Sequence, residues 1–128
     1  MKARNVFERA MLLYGVTDYR GGVDQTRAEP YAQRALAAIS AIQDEIYMIE
    51  HSDGTYTIPD PITDLDDELA ISDESAMVVM VYGLIMYFAE WDRDSFAYNT
   101  YNVEYTNRMQ AINRPRQKIQ NVRQGARA

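Results

Sequence analysis

The stretch SDESAMVVMVYGLIMYFAEWDRD, residues 72–94, decides how this chain folds. Between Ala76 and Ala89 it carries no charge, and apolar side chains occupy nearly every direction of a helical wheel. A helix that is apolar all round is stable only where other elements cover it. The uncharged run is shorter than the ~20 residues a membrane span requires, so it reads as core. Ser72 can accept from the first unpaired N–H groups, and Asp73 and Glu74 suit the positive end of the helix dipole. Gly83 costs about 1 kcal/mol relative to alanine inside a helix. That residue marks a close helix crossing or, as the alternative, a kink.

Working outward, the segments that could cover this rod are amphipathic. Ala3, Val6, Phe7, Ala10, Leu13 and Tyr14 recur at helical spacing, which predicts a first helix from about Ala3 to Tyr14 stopped by Gly15. TDYRGG (17–22) reads as a turn. Thr26 and Glu29 match a capping box, so a second helix opens near Thr26, with Pro30 uncomfortably late for a first-turn proline. The stripe Ala35, Leu36, Ile39, Ile42, Ile46 and Ile49 carries it to about Glu50. Thr55 to Ile58 alternates like a short strand, and Pro59 and Pro61 confine it to an edge or a loop. Asp64 to Leu69 is long enough for one helical turn. After the turn WDRD (91–94), the stripe Tyr98, Tyr101, Tyr105, Met109 and Ile112 predicts a fourth helix from about Ser95 to Asn113. Pro115 should end or kink it. The expectation is an all-α protein. A four-helix bundle over residues 1–113 carries a short extended arm or β-hairpin between helices 2 and 3, near residues 53–62. An extended basic C-terminal arm, 114–128, follows.

The net charge of −6 hides a segregation. Residues 1–43 carry a net +2 and residues 44–94 a net −13, with Arg93 the only base among fourteen acids. From Tyr105 onward there are six bases and no acid. An acidic body joined to a basic tail suggests contact with something acidic, which another copy of the chain could provide. The absence of cysteine excludes disulfide and thiol chemistry, and a single histidine makes a transition-metal site of the usual kind improbable. MKARNVFERAMLLYGV contains Glu8 and no long apolar run, so a secretory leader is not expected there.

Few residues suggest chemistry. The acids Asp60, Asp64, Asp66, Asp67, Glu68, Asp73 and Glu74 lack the alternate spacing, central glycine and distal glutamate of a calcium loop. They read as a solvated edge with capping carboxylates. No metal, cofactor or catalytic residue is therefore expected. His51 falls where a histidine meets the last carbonyls of a helix. The tyrosines of the fourth helix suit either the rim of a core or a subunit interface, where tyrosine and arginine are enriched. The basic tail has three readings: a solvated end, a phosphate-binding segment using Arg114, Arg116, Lys118, Arg123 and Arg127, or an arm docked on a protein. In the last, Ile119 and Val122 would be apolar anchors between bases. The tail has no aromatic residue for base stacking and the body would repel DNA, which favours the docked arm.

The second helix ending IYMI (46–49), the run LDDELAISDESA (65–76), Tyr82-Gly83-Leu84, Phe88-Ala89 and Trp91-Asp92 form one set of marks. With Tyr98, Tyr101-Asn102 and Tyr105, they resemble a head–tail connector adaptor of tailed double-stranded-DNA phages over roughly residues 32–105. The resemblance implies a non-enzymatic structural protein of the virion, assembled in the host cytoplasm. About twelve copies would form a ring beneath the portal protein. Such a ring extends the DNA channel without sequence-specific binding and presents a platform to the next connector or tail protein. It also implies that Arg114, Arg116, Lys118, Ile119, Val122 and Arg123 meet the portal. The subunit contacts assigned with it are Asp64, Asp66, Asp67, Glu68, Tyr98, Tyr101, Tyr105 and Arg108. A head-closure or tail-completion protein of the same connector, and a helical nucleic-acid-binding regulator using the basic tail, are the alternatives.

Overall fold

A computed structural model describes the backbone of residues 1–51 and 57–126, with side chains through residue 113 of that range. The protein is all-α. Helix α1 is Ala3–Tyr14 and α2 is Gln25–Glu50. Helix α3 is a continuous rod over 73–91, built of an α-helical turn Asp73–Ser75, a π-helical turn Ala76–Met80 and a second α-helical part Val81–Trp91. Helix α4 is Ser95–Ala126.

Helix α3 packs against each of the other three helices, as its all-round apolarity requires. Its side chains Val79, Met80, Leu84, Ile85 and Phe88 are fully buried. Against them lie Val6, Ala10 and Met11 of α1 and Ile39, Ile42 and Ile46 of α2, also buried. Tyr101, Tyr105, Met109 and Ile112 of α4 complete the cover from its edge. Each large apolar side chain hidden this way contributes about 1.5–3 kcal/mol. Contact pairs set the directions. Phe7 meets Phe88 and Tyr14 meets Asp92, whereas Ile42 meets Gly83 and Arg34 meets Trp91. Helix α1 therefore runs parallel to α3, and α2 and α4 run antiparallel to it.

Gly83 marks a close crossing and not a kink. A Cβ there would lie 2.7 Å from Tyr105 Cε1, 2.9 Å from Tyr105 Cδ1 and 3.0 Å from Ile42 Cδ1. The missing side chain lets α2 and α4 approach the same point of the rod together.

The ends of the helices follow local chemistry. Gly15 adopts φ 90°, and the Gly15 and Val16 N–H groups donate to Leu12 O and Met11 O, a left-handed cap that stops α1. At the end of α3 the same bonding pattern recurs with Arg93, φ 55°, in the left-handed position, and the Asp94 N–H donates to Ala89 O at 2.8 Å. Asp94 then caps α4 by accepting from the Ala97 N–H. As expected, Ser72 caps α3, accepting from the Ser75 N–H.

Several expectations are corrected. The cap of α2 is Asp24, which accepts from the Arg27 N–H, and not the Thr26/Glu29 box. Helix α2 begins early enough that Pro30 stands inside it, giving up one backbone hydrogen bond. Residues 64–67 form a β-turn, closed by the Asp67 N–H on Asp64 O, and not a helical turn. No strand occurs among the described residues. Residues 57–62 are irregular, and part of the expected arm or hairpin, residues 52–56, lies outside the described residues. Pro115 does not end α4, whose backbone is helical to Ala126 where an extended tail was expected. Arginine, glutamine, lysine and alanine in that segment are good helix formers, and one proline removes a single bond from a helix long enough to lose it.

Replacing Gly83 by alanine should destabilise the protein by about 1–3 kcal/mol in urea denaturation, because a rigid tyrosine ring stands where the methyl group would go. A glycine-to-alanine change in an uncrowded helix would do the opposite, stabilising by about 1 kcal/mol. An unchanged or higher stability would mean that the three helices do not meet there.

Candidate functional site

The acidic segment is held by the body of its own chain. Ser40 Oγ accepts from the Ile62 N–H at 2.8 Å, and the fully buried Gln43 accepts from the Ala70 N–H at 2.8 Å and donates to Asp60 O. These two α2 side chains fasten both ends of the loop. The loop in turn supplies what α1 lacks. Lys2 offers no side-chain cap, and the Ala3 and Arg4 N–H groups donate instead to Asp67 O and Leu65 O. Placing carboxylates around the positive end of α1 is electrostatically favourable, which gives the acidity of this loop a local cause.

Most of the acids at this edge are already engaged. Asp66 accepts from Arg4 Nε at 2.8 Å, and that guanidinium holds its carboxyl below the usual carboxylate range. Asp67 accepts from the Thr63 and Asp64 N–H groups and the Thr63 hydroxyl, and those bonds lower its pKa as well. Glu68 and Asp73 flank the Met1 ammonium at 2.9 and 3.2 Å. Asp64 accepts from the Asp66 N–H and has no ion-pair partner among the described residues. Its charge also acts on Arg4, and Asp67 is likewise in no ion pair among the described residues. No group of three or more histidine, aspartate or glutamate side chains that could hold a metal ion occurs among the described residues.

The α4 residues divide in the same way. The Tyr105 hydroxyl donates to Glu45 at 2.9 Å while its ring fills the space over Gly83, and burial raises its pKa. Tyr101 packs against Tyr82 at 6.1 Å. Arg108 stacks over the Tyr82 ring at 3.8 Å, pairs with Glu104 and donates to Val78 O in the π-helical turn. These three residues serve the rim of the core. Tyr98 lines a shallow depression with Glu90, Arg93 and Asn99. The side chains of Arg114, Arg116, Lys118, Ile119, Val122, Arg123 and Arg127 lie outside the described residues. His51 behaves as expected: its Nδ1 lies 3.1 Å from Tyr47 O, and its ring stacks on Tyr47 at 4.0 Å.

Sequence reasoning missed an aromatic and basic cleft beside the turn after α3. Phe88 makes edge or tilted contacts with Phe7, Tyr14, Tyr31 and Trp91, drawing three helices together. Tyr14 and Tyr31 both donate their hydroxyls to Asp92 Oδ2, at 2.8 and 2.6 Å. Burial first and the carboxylate second push Tyr31 up to about 12 and raise Tyr14 as well. A carboxylate at a helix C-terminus opposes the dipole, and two phenol donors offset that. Outside this clamp opens a cleft of about 530 Å3 lined by Arg27, Pro30, Tyr31, Gln33, Arg34, Trp91 and Asp92. Arg34 lies 5.8 Å from the centre of the Trp91 ring. The signal in the sequence was Arg27 and Arg34, seven residues apart on a helix whose basic side chains were counted only into a net charge. Their proximity to Trp91 depends on how α2 packs against α3.

No protein-family model matches the chain, and no curated protein or solved structure matches it either.

Two measurements test this geometry. Asp92→Ala should lower stability by about 1 kcal/mol, since both hydroxyls are near enough to the surface for water to replace the carboxylate in part. In an alkaline spectrophotometric titration it should also move Tyr31 from about 12 back toward 10. An unchanged Tyr31 titration would mean that the clamp does not form. Asp66 and Asp67 titrate below their unfolded values. Their contribution is therefore complete above the ordinary carboxylate pKa and lost as pH falls through the lowered folded values. The loop should loosen only below about pH 4, and amide exchange at Asp67 and Leu69 should rise there before the core opens.

Proposed function

We propose that the protein is a structural, non-enzymatic adaptor of a phage head–tail connector. In this reading a four-helix bundle forms a ring under the portal, and the C-terminal part of α4 engages the portal. Support begins with the sequence resemblance over residues 32–105 and the separation of acidic and basic segments. The observation that carries the reading is the length of α4. At 1.5 Å per residue its 32 residues extend about 48 Å, whereas the 19 residues of α3 extend about 28 Å. Helix α4 is thus 13 residues longer than the rod it packs on, and its last 13 residues, 114–126, hold four bases and no acid. A long basic helix attached to an acidic body suits docking on a separate acidic protein surface. A net-negative body would not grip DNA phosphates moving past it.

The described clefts agree with a protein that works through contacts. They are shallow and open, and the arginine–tryptophan cleft has the residue types that anchor protein interfaces.

Truncation after Asn113 should remove the helicity of residues 114–126 and leave a folded subunit of near-native melting temperature that no longer binds the portal in co-sedimentation. Portal binding by the truncated chain at wild-type strength would remove the arm from the contact. A DNA-binding constant that fell steeply with salt would favour the nucleic-acid-binding alternative instead.

A further inference from the structure

Two clefts lie on opposite flanks of α2. At 3.6 residues per turn, Arg27 and Arg34 fall about 20° apart on the helix, and Ala32 and Leu36 about 40° apart. The two pairs are separated by roughly 180°. Arg27 and Arg34 line the cleft with Trp91 and Asp92, while Ala32 and Leu36 line a second one, of about 210 Å3, with Arg4, Thr63, Asp64 and Leu65. Gln33 stands on the ridge between and borders both. On the first flank neither guanidinium is in an ion pair among the described residues, and on the second the guanidinium of Arg4, paired with Asp66 and drawn also by Asp64, faces the four carboxylates of residues 64–68. The first flank is basic and aromatic, its Asp92 held by two phenols, and the second is a small hollow edged by the acidic 64–68 turn, whose carboxylates outnumber Arg4.

We infer that these flanks are the two halves of one contact between successive copies: the Arg27–Arg34–Trp91 cleft of one subunit receives the Asp64 turn of the next. The inference rests on the ring reading and gives it a joint. A head-to-tail contact needs two different, complementary patches on different sides of one molecule. In a ring of about twelve, successive subunits turn by only about 30°, so the patches must lie nearly opposite each other. Patches about 180° apart around α2 meet that condition when α2 runs along the ring axis. The two arginines are about 10 Å apart along the helix, a span that fits an acidic turn better than a single carboxylate. The occupant comes from this chain because residues 44–94 hold fourteen acids, and the 64–68 turn carries four carboxylates of which only Asp66 and Glu68 are in ion pairs among the described residues. The joint also moves the basic half of the subunit contact from the C-terminal region, which is then free for the portal, to α2.

The test uses the full chain in three variants: Arg27→Glu/Arg34→Glu, Asp64→Lys, and all three changes together. Circular dichroism checks that each is folded, and sedimentation velocity with native mass spectrometry reads assembly. The wild type should form a closed oligomer. Each charge reversal should weaken self-association by at least about 100-fold, because like charges then face each other across the joint. The triple variant, and an equimolar mixture of the first two, should assemble again. Trp91 is the only tryptophan, so its emission should shift only in the combinations that assemble. Rings that form equally well in every variant would overturn the joint and leave the ring reading standing. The same result follows if the cleft holds an acidic segment of another protein. A wild type that stays monomeric at every concentration would overturn the ring reading, and the joint with it.

Discussion

Helix α3 has no face it can show to water, and the other helices are arranged by that constraint. A rod with apolar residues on all sides must be covered on all sides, so α1, α2 and α4 each give up one stripe to it. Gly83 is what allows two of them to reach it at the same level. With no side chain there, Ile42 of α2 and the Tyr105 ring of α4 come within contact of the α3 backbone. The π-helical turn Ala76–Met80 is part of the same accommodation. Its extra residue disturbs the regular register of carbonyls, and Arg108 of α4 reaches in to satisfy Val78 O.

Tyrosine solves the problem at the edge of this core. Tyr14, Tyr31 and Tyr105 place their rings against buried apolar side chains and direct their hydroxyls to Asp92 or Glu45 at the surface. Each donates to a carboxylate, so each bond is charge-assisted and joins residues at least sixty positions apart in sequence. These bonds fix the rotation of α1, α2 and α4 about α3. The same placement turns Trp91 and the arginines of α2 into one cleft.

The acidic loop shows how charge that looks functional can first be structural. Its carbonyls close the start of α1, and its carboxylates neutralise Arg4 and the Met1 ammonium and fold back on their own amides. What remains for recognition is smaller than the sequence suggests. In the proposed connector the informative groups are charges outside ion pairs among the described residues: Asp64 in the 64–68 turn on one flank of α2, and Arg27 and Arg34 on the other.

The sequence by itself determined the number of helices, most of their limits, the central position of 72–94, the close crossing at Gly83 and the stops at Gly15 and WDRD. Those features follow from periodicity, capping chemistry and the intolerance of water for an apolar rod, all of them local. It named Thr26 and not Asp24 as the cap of α2, and it ended α4 too early because one proline was given more weight than a long run of good helix formers. It overlooked Gln43, a polar residue in an apolar stripe, whose burial is explained only by the loop amide and carbonyl it serves. Tertiary structure alone decided which acids are consumed internally, which tyrosines face the core, and that Trp91 lies beside Arg27 and Arg34. Those are pairings between residues far apart in the chain. Their energies depend on distance and burial, and neither exists until the helices have packed.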